Sequence, residues 1–189
     1  MIVTDNITLN IFKLLGYIIG QRDEGRGVVL SEGGNFPTDG YIAQGFSRFG
    51  GHEHRFLPEG APLEAHLDGV DVVVLSQVNY RTGALRDMAA VTRQVHAHGA
   101  EIIWDLAHSA GALPVDLNGC GARYAVGCTY KYLNGGLVPR RSCTSSAITR
   151  TVAGSRFPAG TVMPRPSTSR RIMPRPAISP AFAPGPTRR

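Results

Sequence analysis

The last 53 residues of this 189-residue chain contain no Asp or Glu. Cysteine is scarce as well: three residues, Cys120, Cys128 and Cys143, an odd number with no metal-ligand spacing. That excludes a disulfide framework and a Cys-based zinc site, and it suits a reducing cytosol. Tryptophan is represented by Trp104 alone, and aromatics make up 7 % of the chain. No apolar run is long enough to span a bilayer, so no membrane segment is expected. Residues 1–10 show no basic stretch leading into an apolar one, so no signal peptide is expected either.

The missing acids explain the charge. Residues 1–136 hold 10 Lys+Arg against 14 Asp+Glu, a net −4, whereas residues 137–189 hold ten Arg and nothing to oppose them. The overall +6 is therefore a property of the tail and no nucleic-acid footprint of the rest. The tail also carries 9 of the 13 prolines, and its aromatics are Phe157 and Phe182. With no sustained periodicity, residues 137–189 read as a disordered extension. A basic tail of this kind admits nucleic-acid binding as a remote alternative. The lack of aromatics interleaved with the arginines argues for no nucleic-acid partner.

What is present lies before Gly136. Asn10 to Gly20 reads as a helix ending at a glycine, and Gly27 to Leu30 as a short strand. Thr38 to Phe46 looks helical, with Thr38 or Asp39 able to cap it. Asp71 to Leu75 (DVVVL) is a buried strand, Ala84 to His98 an amphipathic helix closed by Gly99, and Glu101 to Trp104 (EIIW) another strand. Tyr124 to Gly127 adds a further short one. The alternation predicts an α/β fold with a mostly parallel sheet, with residues 1–136 as one domain.

Four clusters bear chemistry. Asp105-Leu106-Ala107-His108 follows EIIW directly, and a carboxylate at the end of a parallel strand faces the crevice where such folds bind ligands. There it can keep a pyridine nitrogen protonated, or simply cap the next turn. Lys131 stands between Tyr130 and Tyr132, just before a Gly pair. A partly desolvated lysine bonds readily to an aldehyde, although a surface lysine is commoner. In Asn35-Phe36-Pro37-Thr38-Asp39, Pro37 fixes the backbone and presents Phe36 for stacking on a flat ring, or for ordinary burial. Ile7 and Thr8 open the first helix, where free N–H groups suit a phosphate. Ser76, ahead of the loop Asn79–Gly83, follows DVVVL on the same edge as Asp105 if the strands run parallel. His52, His54, His96 and His98 show no ligand spacing and read as surface residues.

In this order the clusters resemble kynureninase. The stretches that carry the resemblance are TDNITLNIFKLLGY, NFPTDGYIAQGF, VNYRTGALRDMAAVT, WDLAHSAGALPVDL and GCTYKYLNGG, covering about Val3 to Gly136. The resemblance implies the large domain of an aminotransferase-like, fold-type I enzyme using pyridoxal 5′-phosphate (PLP). It implies hydrolysis of L-kynurenine, or its 3-hydroxy form, to an anthranilate and L-alanine, in tryptophan catabolism and NAD biosynthesis. By the same resemblance Lys131 is catalytic and bears the cofactor, Asp105 faces the ring nitrogen with His108 nearby, and Phe36 stacks on the ring. Ile7, Thr8 and Tyr130 surround the phosphate, while Pro37, Thr38, Asp39 and Ser76 line the site. A cytoplasmic homodimer acting on a small molecule is implied, with no metal and no membrane.

The family's usual segments before Val3 and after Gly136 have no visible counterpart, so a fragment truncated at its N-terminus is expected. Codons compatible with the tail, read one frame over, permit A-P-A-F-L-Y-V across Val138 to Ser145 and S-G-W-x-G-H-A-x-P-F across Phe157 to Ser167. They permit A-R-F-R-A-G-T across Ser179 to Thr187. All three resemble kynureninase motifs in the family's order. The expectation is a chain out of frame after about Gly136, with an inactive fragment as the alternative to a working enzyme.

Overall fold

A computed structural model describes residues 2–22, 27–135 and 147–151. All of them fall in one compact unit, Met1–Ala153. Its elements are β1 (Ile2–Thr4), α1 (Ile7–Ile19), β2 (Val28–Glu32), α2 (Pro37–Gly50), β3 (Glu53–Leu57), a 3-10 turn (Leu63–His66), β4 (Val72–Ser76), α3 (Met88–Ala97), β5 (Glu101–Asp105), β6 (Tyr124–Cys128) and β7 (Ala147–Thr151). The strands form one sheet in the order β1-β7-β6-β5-β4-β2-β3. The five from β6 to β3 run parallel, and β7 pairs antiparallel with both β6 and β1.

Strand side chains alternate between two faces, and each face here builds its own core. Val72 and Val74 of β4, with Val29 and Ile103, pack under α1 and α2 through Ile11, Leu14, Leu15, Ile18 and Phe46. Val73 and Leu75, with Leu30, Ile102 and Trp104, pack against Met88 and Val95 of α3 and against Leu63 and Leu67. Trp104 is fully buried, and its indole N–H donates to Thr92 Oγ1 on α3 at 3.0 Å. A sheet covered on both sides explains why its central strands read as unbroken apolar runs.

Several boundaries differ from the sequence reading. Helix α1 starts three residues early because Asn6 caps it: Asn6 Oδ1 accepts from Leu9 N–H at 2.8 Å. Helix α2 begins at Pro37 with Phe36 in the cap position and no side-chain cap, so neither Thr38 nor Asp39 caps it. Helix α3 starts at Met88, capped by the Asp87 carboxylate. Strand β3 was not expected, because its EHRFL lies at the sheet edge and carries charge. Strand β7 falls inside the stretch expected to lack regular structure; its β-branched Ile148, Thr149 and Thr151 favour extended backbone. The rest of 137–189, including the motif-like strings read one frame over, lies outside the described residues. Of the four histidines read as surface residues, His98 is exposed, and His52, His54 and His96 are half-buried. His52 Nδ1 accepts from Gly27 N–H at 3.1 Å and its ring stacks on Phe46. His54 is within 2.9 Å of the buried Ser31 hydroxyl, and His96 faces Glu101. His98 bonds the Gln94 carbonyl at 2.9 Å, closing the last turn of α3. Among the described residues no group of three His, Cys, Asp or Glu is placed to hold a metal, and no helix is long and apolar enough to cross a membrane.

Candidate active site

The order β5-β4-β2 places three strand C-terminal ends side by side, and the register makes Ser76 and Asp105 direct partners across β4 and β5. The chain leaves β2 toward β3 on one side and returns to β4 on the other, so the crevice for a ligand opens at these ends. A cavity of about 560 Å³, counting space open to solvent, lies there. It is lined by Ile7, Thr8, Phe36, Thr38, Asp39, Asp105, His108, Tyr130 and Lys131, all singled out from the sequence. Asn6 and Ala107 line it too.

Two of the expected residues stand elsewhere. Pro37 lines a neighbouring cleft with Phe36, Tyr41, Phe56 and Tyr80. Ser76 is buried behind Asp105. Its hydroxyl lies 2.5 Å from Asn35 Oδ1 and 3.3 Å from Asp105 Oδ2. A hydroxyl has one proton, so the shorter contact takes it and Asp105 receives little from Ser76.

Asn35 is the residue that the sequence reading passed over. It is buried, and its Oδ1 also accepts from Phe36 N–H at 2.7 Å while its Nδ2 donates to Asp39 Oδ2 at 3.2 Å. One amide thus ties β4, the Phe36 turn and Asp39 together. The signal available was its place three residues after the end of β2, where an Asx side chain is suited to bond the turn.

The acids are the electrostatic centre. Asp105 is 3 % exposed and its Oδ1 accepts from Ala107 N–H at 2.9 Å. Asp39 is 1 % exposed, and its carboxyl is hydrogen-bonded to that of Asp105. Burial, then the Asp105 charge and the bond to it, push Asp39 up to about 8. Burial raises Asp105 as well, but the Ala107 amide, Lys131 and Asp39 work against that rise. Asp39 therefore carries the proton of the pair and donates it to Asp105.

Lys131 sits on the loop after β6. Its Nζ is 3.0 Å from His108 Nε2, 5.8 Å from the centre of the Phe36 ring and 5.9 Å from that of Tyr130. The Phe36 ring meets Tyr80 edge to face at 5.3 Å. Burial raises the Tyr130 phenol, as does its bond to Cys128. Two glycines fix the lysine loop. Gly135 N–H donates to the Thr129 carbonyl at 2.7 Å, and a Cβ there would come 2.7 Å from Thr129 Cβ. Gly111, at φ +87°, lets the segment after His108 pass so close that a Cβ would stand 2.7 Å from the Tyr132 carbonyl. On the opposite wall, the first turn of α1 has no acidic residue to occupy its N-terminus.

An amine, a buried acid pair, an aromatic ring and a helix N-terminus around one cavity suit a flat, anionic, aldehyde-bearing ligand. Comparison with known proteins gives the same direction. The chain is 50 % identical over 135 residues to a kynureninase of Deinococcus radiodurans and 51 % identical over 142 residues to one of Burkholderia pseudomallei. Each alignment covers 71 % of this chain. The chain spans about a third of the length of these relatives, 32 % and 34 %. No family model matches it. Among solved structures, a cysteine desulfurase from Thermococcus onnurineus matches at TM-score 0.66 with 17 % identity, over 79 % of this chain and 37 % of that one. Ureidoglycine-glyoxylate aminotransferase from Bacillus subtilis matches at TM-score 0.61 with 17 % identity, over 79 % and 38 %. The fold is that of the aminotransferase-like, fold-type I enzymes, and over the stretch that it shares with them the chain is a homologue of the kynureninases.

Proposed function

We propose that this chain carries the cofactor-binding core of a kynureninase, which takes PLP at Lys131 and hydrolyses L-kynurenine, or its 3-hydroxy form, to an anthranilate and L-alanine. The observation that carries the reading is the convergence of Lys131, His108, Asp105, Asp39 and Phe36 on one cavity with the α1 N-terminus.

The residues present fit the cofactor. The Lys131 amine suits the aldehyde, Asp105 the ring nitrogen, Phe36 a ring face, and the α1 N-terminus with Ile7, Thr8 and Tyr130 the phosphate. Bound there, PLP supplies an electron sink for the substrate α-carbon. Asp105, which accepts from Ala107 N–H and feels the Lys131 charge, would hold a proton on the ring nitrogen. Lys131 Nζ would hold the cofactor's aldehyde and could take up or return a proton at the substrate α-carbon. Phe36, held by Asn35 and Pro37, fixes the plane in which that proton moves and keeps water off one face. Thr38 borders the cavity, and Ser76 acts from behind by holding Asn35. We extend the reading to a cytoplasmic homodimer serving tryptophan catabolism and NAD biosynthesis.

The test adds PLP and L-kynurenine to the purified full chain and follows anthranilate fluorescence. Borohydride-fixed cofactor is assayed by mass spectrometry. A label on Lys131 without anthranilate is the expected result for a chain that spans about a third of its relatives' length, and it supports the cofactor site. Anthranilate release overturns the reading of the chain as an inactive fragment and supports the hydrolysis. A label on another residue removes Lys131 from the role.

A further inference from the structure

His108 Nε2 is the hydrogen-bond partner of the Lys131 amine among the described residues. The alternative partners for a cation in this cavity are Asp105 and Asp39, on both of which the lysine charge acts. A flexible ammonium beside two buried carboxyls tends to close onto them. Such an ion pair would occupy the acid that a ring nitrogen needs and would tie down the amine that an aldehyde needs. The imidazole offers the amine an uncharged partner. Burial, then the nearby lysine charge, lowers the His108 pKa and so favours the neutral ring. A neutral ring with its proton on Nδ1 presents the Nε2 lone pair to an N–H of the amine.

The ring is also held in place. Its centre lies 6.3 Å from that of Tyr80 and 6.4 Å from that of Tyr132. The backbone on either side is pinned by Leu106, whose carbonyl accepts from Ser109 N–H at 3.1 Å and from Ala110 N–H at 2.9 Å. The turn that orients Asp105 through Ala107 N–H therefore orients the imidazole as well.

We propose that His108 is a positioning residue for Lys131, its Nε2 holding the ε-amine over the cavity and away from Asp105 and Asp39. This deepens, and rests on, the reading of Lys131 as the cofactor-bearing lysine.

The test has two arms on the full chain. In the first, without cofactor, nitrogen NMR of labelled histidine reads the His108 tautomer. The expected result is a neutral ring protonated on Nδ1, with an Nε2 resonance that shifts in Lys131→Met. In the second, PLP capture at Lys131 is fixed by borohydride and timed by peptide mass spectrometry. His108→Phe keeps an aromatic ring but no acceptor, and is expected to slow capture about tenfold or more. His108→Gln restores an acceptor oxygen and is expected to stay within about threefold of the parent. An Nε2 resonance indifferent to Lys131→Met overturns the proposal, and so does His108→Phe capturing as fast as the parent. A parent that captures no PLP sinks the cofactor reading instead, and the nitrogen resonance then decides the role of His108 by itself.

Discussion

The two ends of the parallel strands treat their acids differently. At the N-terminal ends, Asp71 meets Arg22 at 2.7 Å, Glu53 meets Arg55 at 2.7 Å, and Glu101 meets Arg123. At the C-terminal ends Glu32 is paired with Arg86, but Asp105 and Asp39 meet each other, an amide N–H and the Asn35 side chain. A guanidinium fixes a carboxylate as an anion and fills its lone pairs. An acid pair without one keeps a proton equilibrium near neutrality and room for another cation. The first arrangement suits structure, and the second suits a ligand.

The comparison is broken most severely at the lysine. Lys131→Ala is expected to abolish borohydride-fixed PLP completely, and a label that survives this change would place the chemistry elsewhere. Asp105→Ala comes next. Loss of a buried, charged hydrogen-bonding partner is expected to weaken PLP binding about tenfold to a hundredfold in an absorbance titration. Asp105→Glu should retain part of that, while equal affinity in Asp105→Ala would make the acid a turn cap. At the other end, Arg22→Ala removes the ion pair to Asp71 and the bonds to the Asp71 and Gly99 carbonyls. Its expected cost is about 1–2 kcal/mol in urea unfolding, with PLP affinity unchanged. A change of affinity without a change of stability would erase the distinction between the two ends.

The remaining test is a slope in pH. Asp39 keeps its proton in the fold up to about pH 8, whereas an unfolded Asp releases it near pH 4. Between those values the folded chain binds the extra proton. The stability from it is complete below about pH 4 and lost as pH rises through about 8. Melting midpoints of the cofactor-free chain should fall from pH 5 to pH 8, and Asp39→Asn should flatten that fall. The same slope in both would put the proton on another group.

Legibility in the sequence followed burial. DVVVL and EIIW announced β4 and β5 because strands covered on both faces carry apolar side chains at every position. EHRFL did not announce β3, because an edge strand packs against one neighbour and tolerates Glu53, His54 and Arg55. The cavity residues could be named chiefly through the resemblance to kynureninase. Residue types alone marked the strand-end Asp105, Lys131 before its Gly pair and Phe36 before Pro37 as clusters, each with an ordinary structural reading beside the functional one. Asn35 and Asn6 were missed because an Asn that bonds a turn looks the same in sequence whether it is exposed or buried. His52 and His54 were misjudged for a related reason, since their partners are Gly27, just before β2, and Ser31 within it.

The cavity wall runs from Asn6 to Lys131, nearly the full length of the described chain before β7. Contacts between residues so far apart in sequence close late, because the loop entropy must be met before they form. The pocket is therefore complete only once both helical layers and the central strands are in place. A ligand that needs all its walls binds the finished fold and no partial one, so it raises the melting midpoint by mass action on that state alone. Under the proposed function, PLP binding would be a clock for folding as well as a probe of the site: after dilution from denaturant, the label on Lys131 should accumulate no faster than the slowest step of sheet assembly.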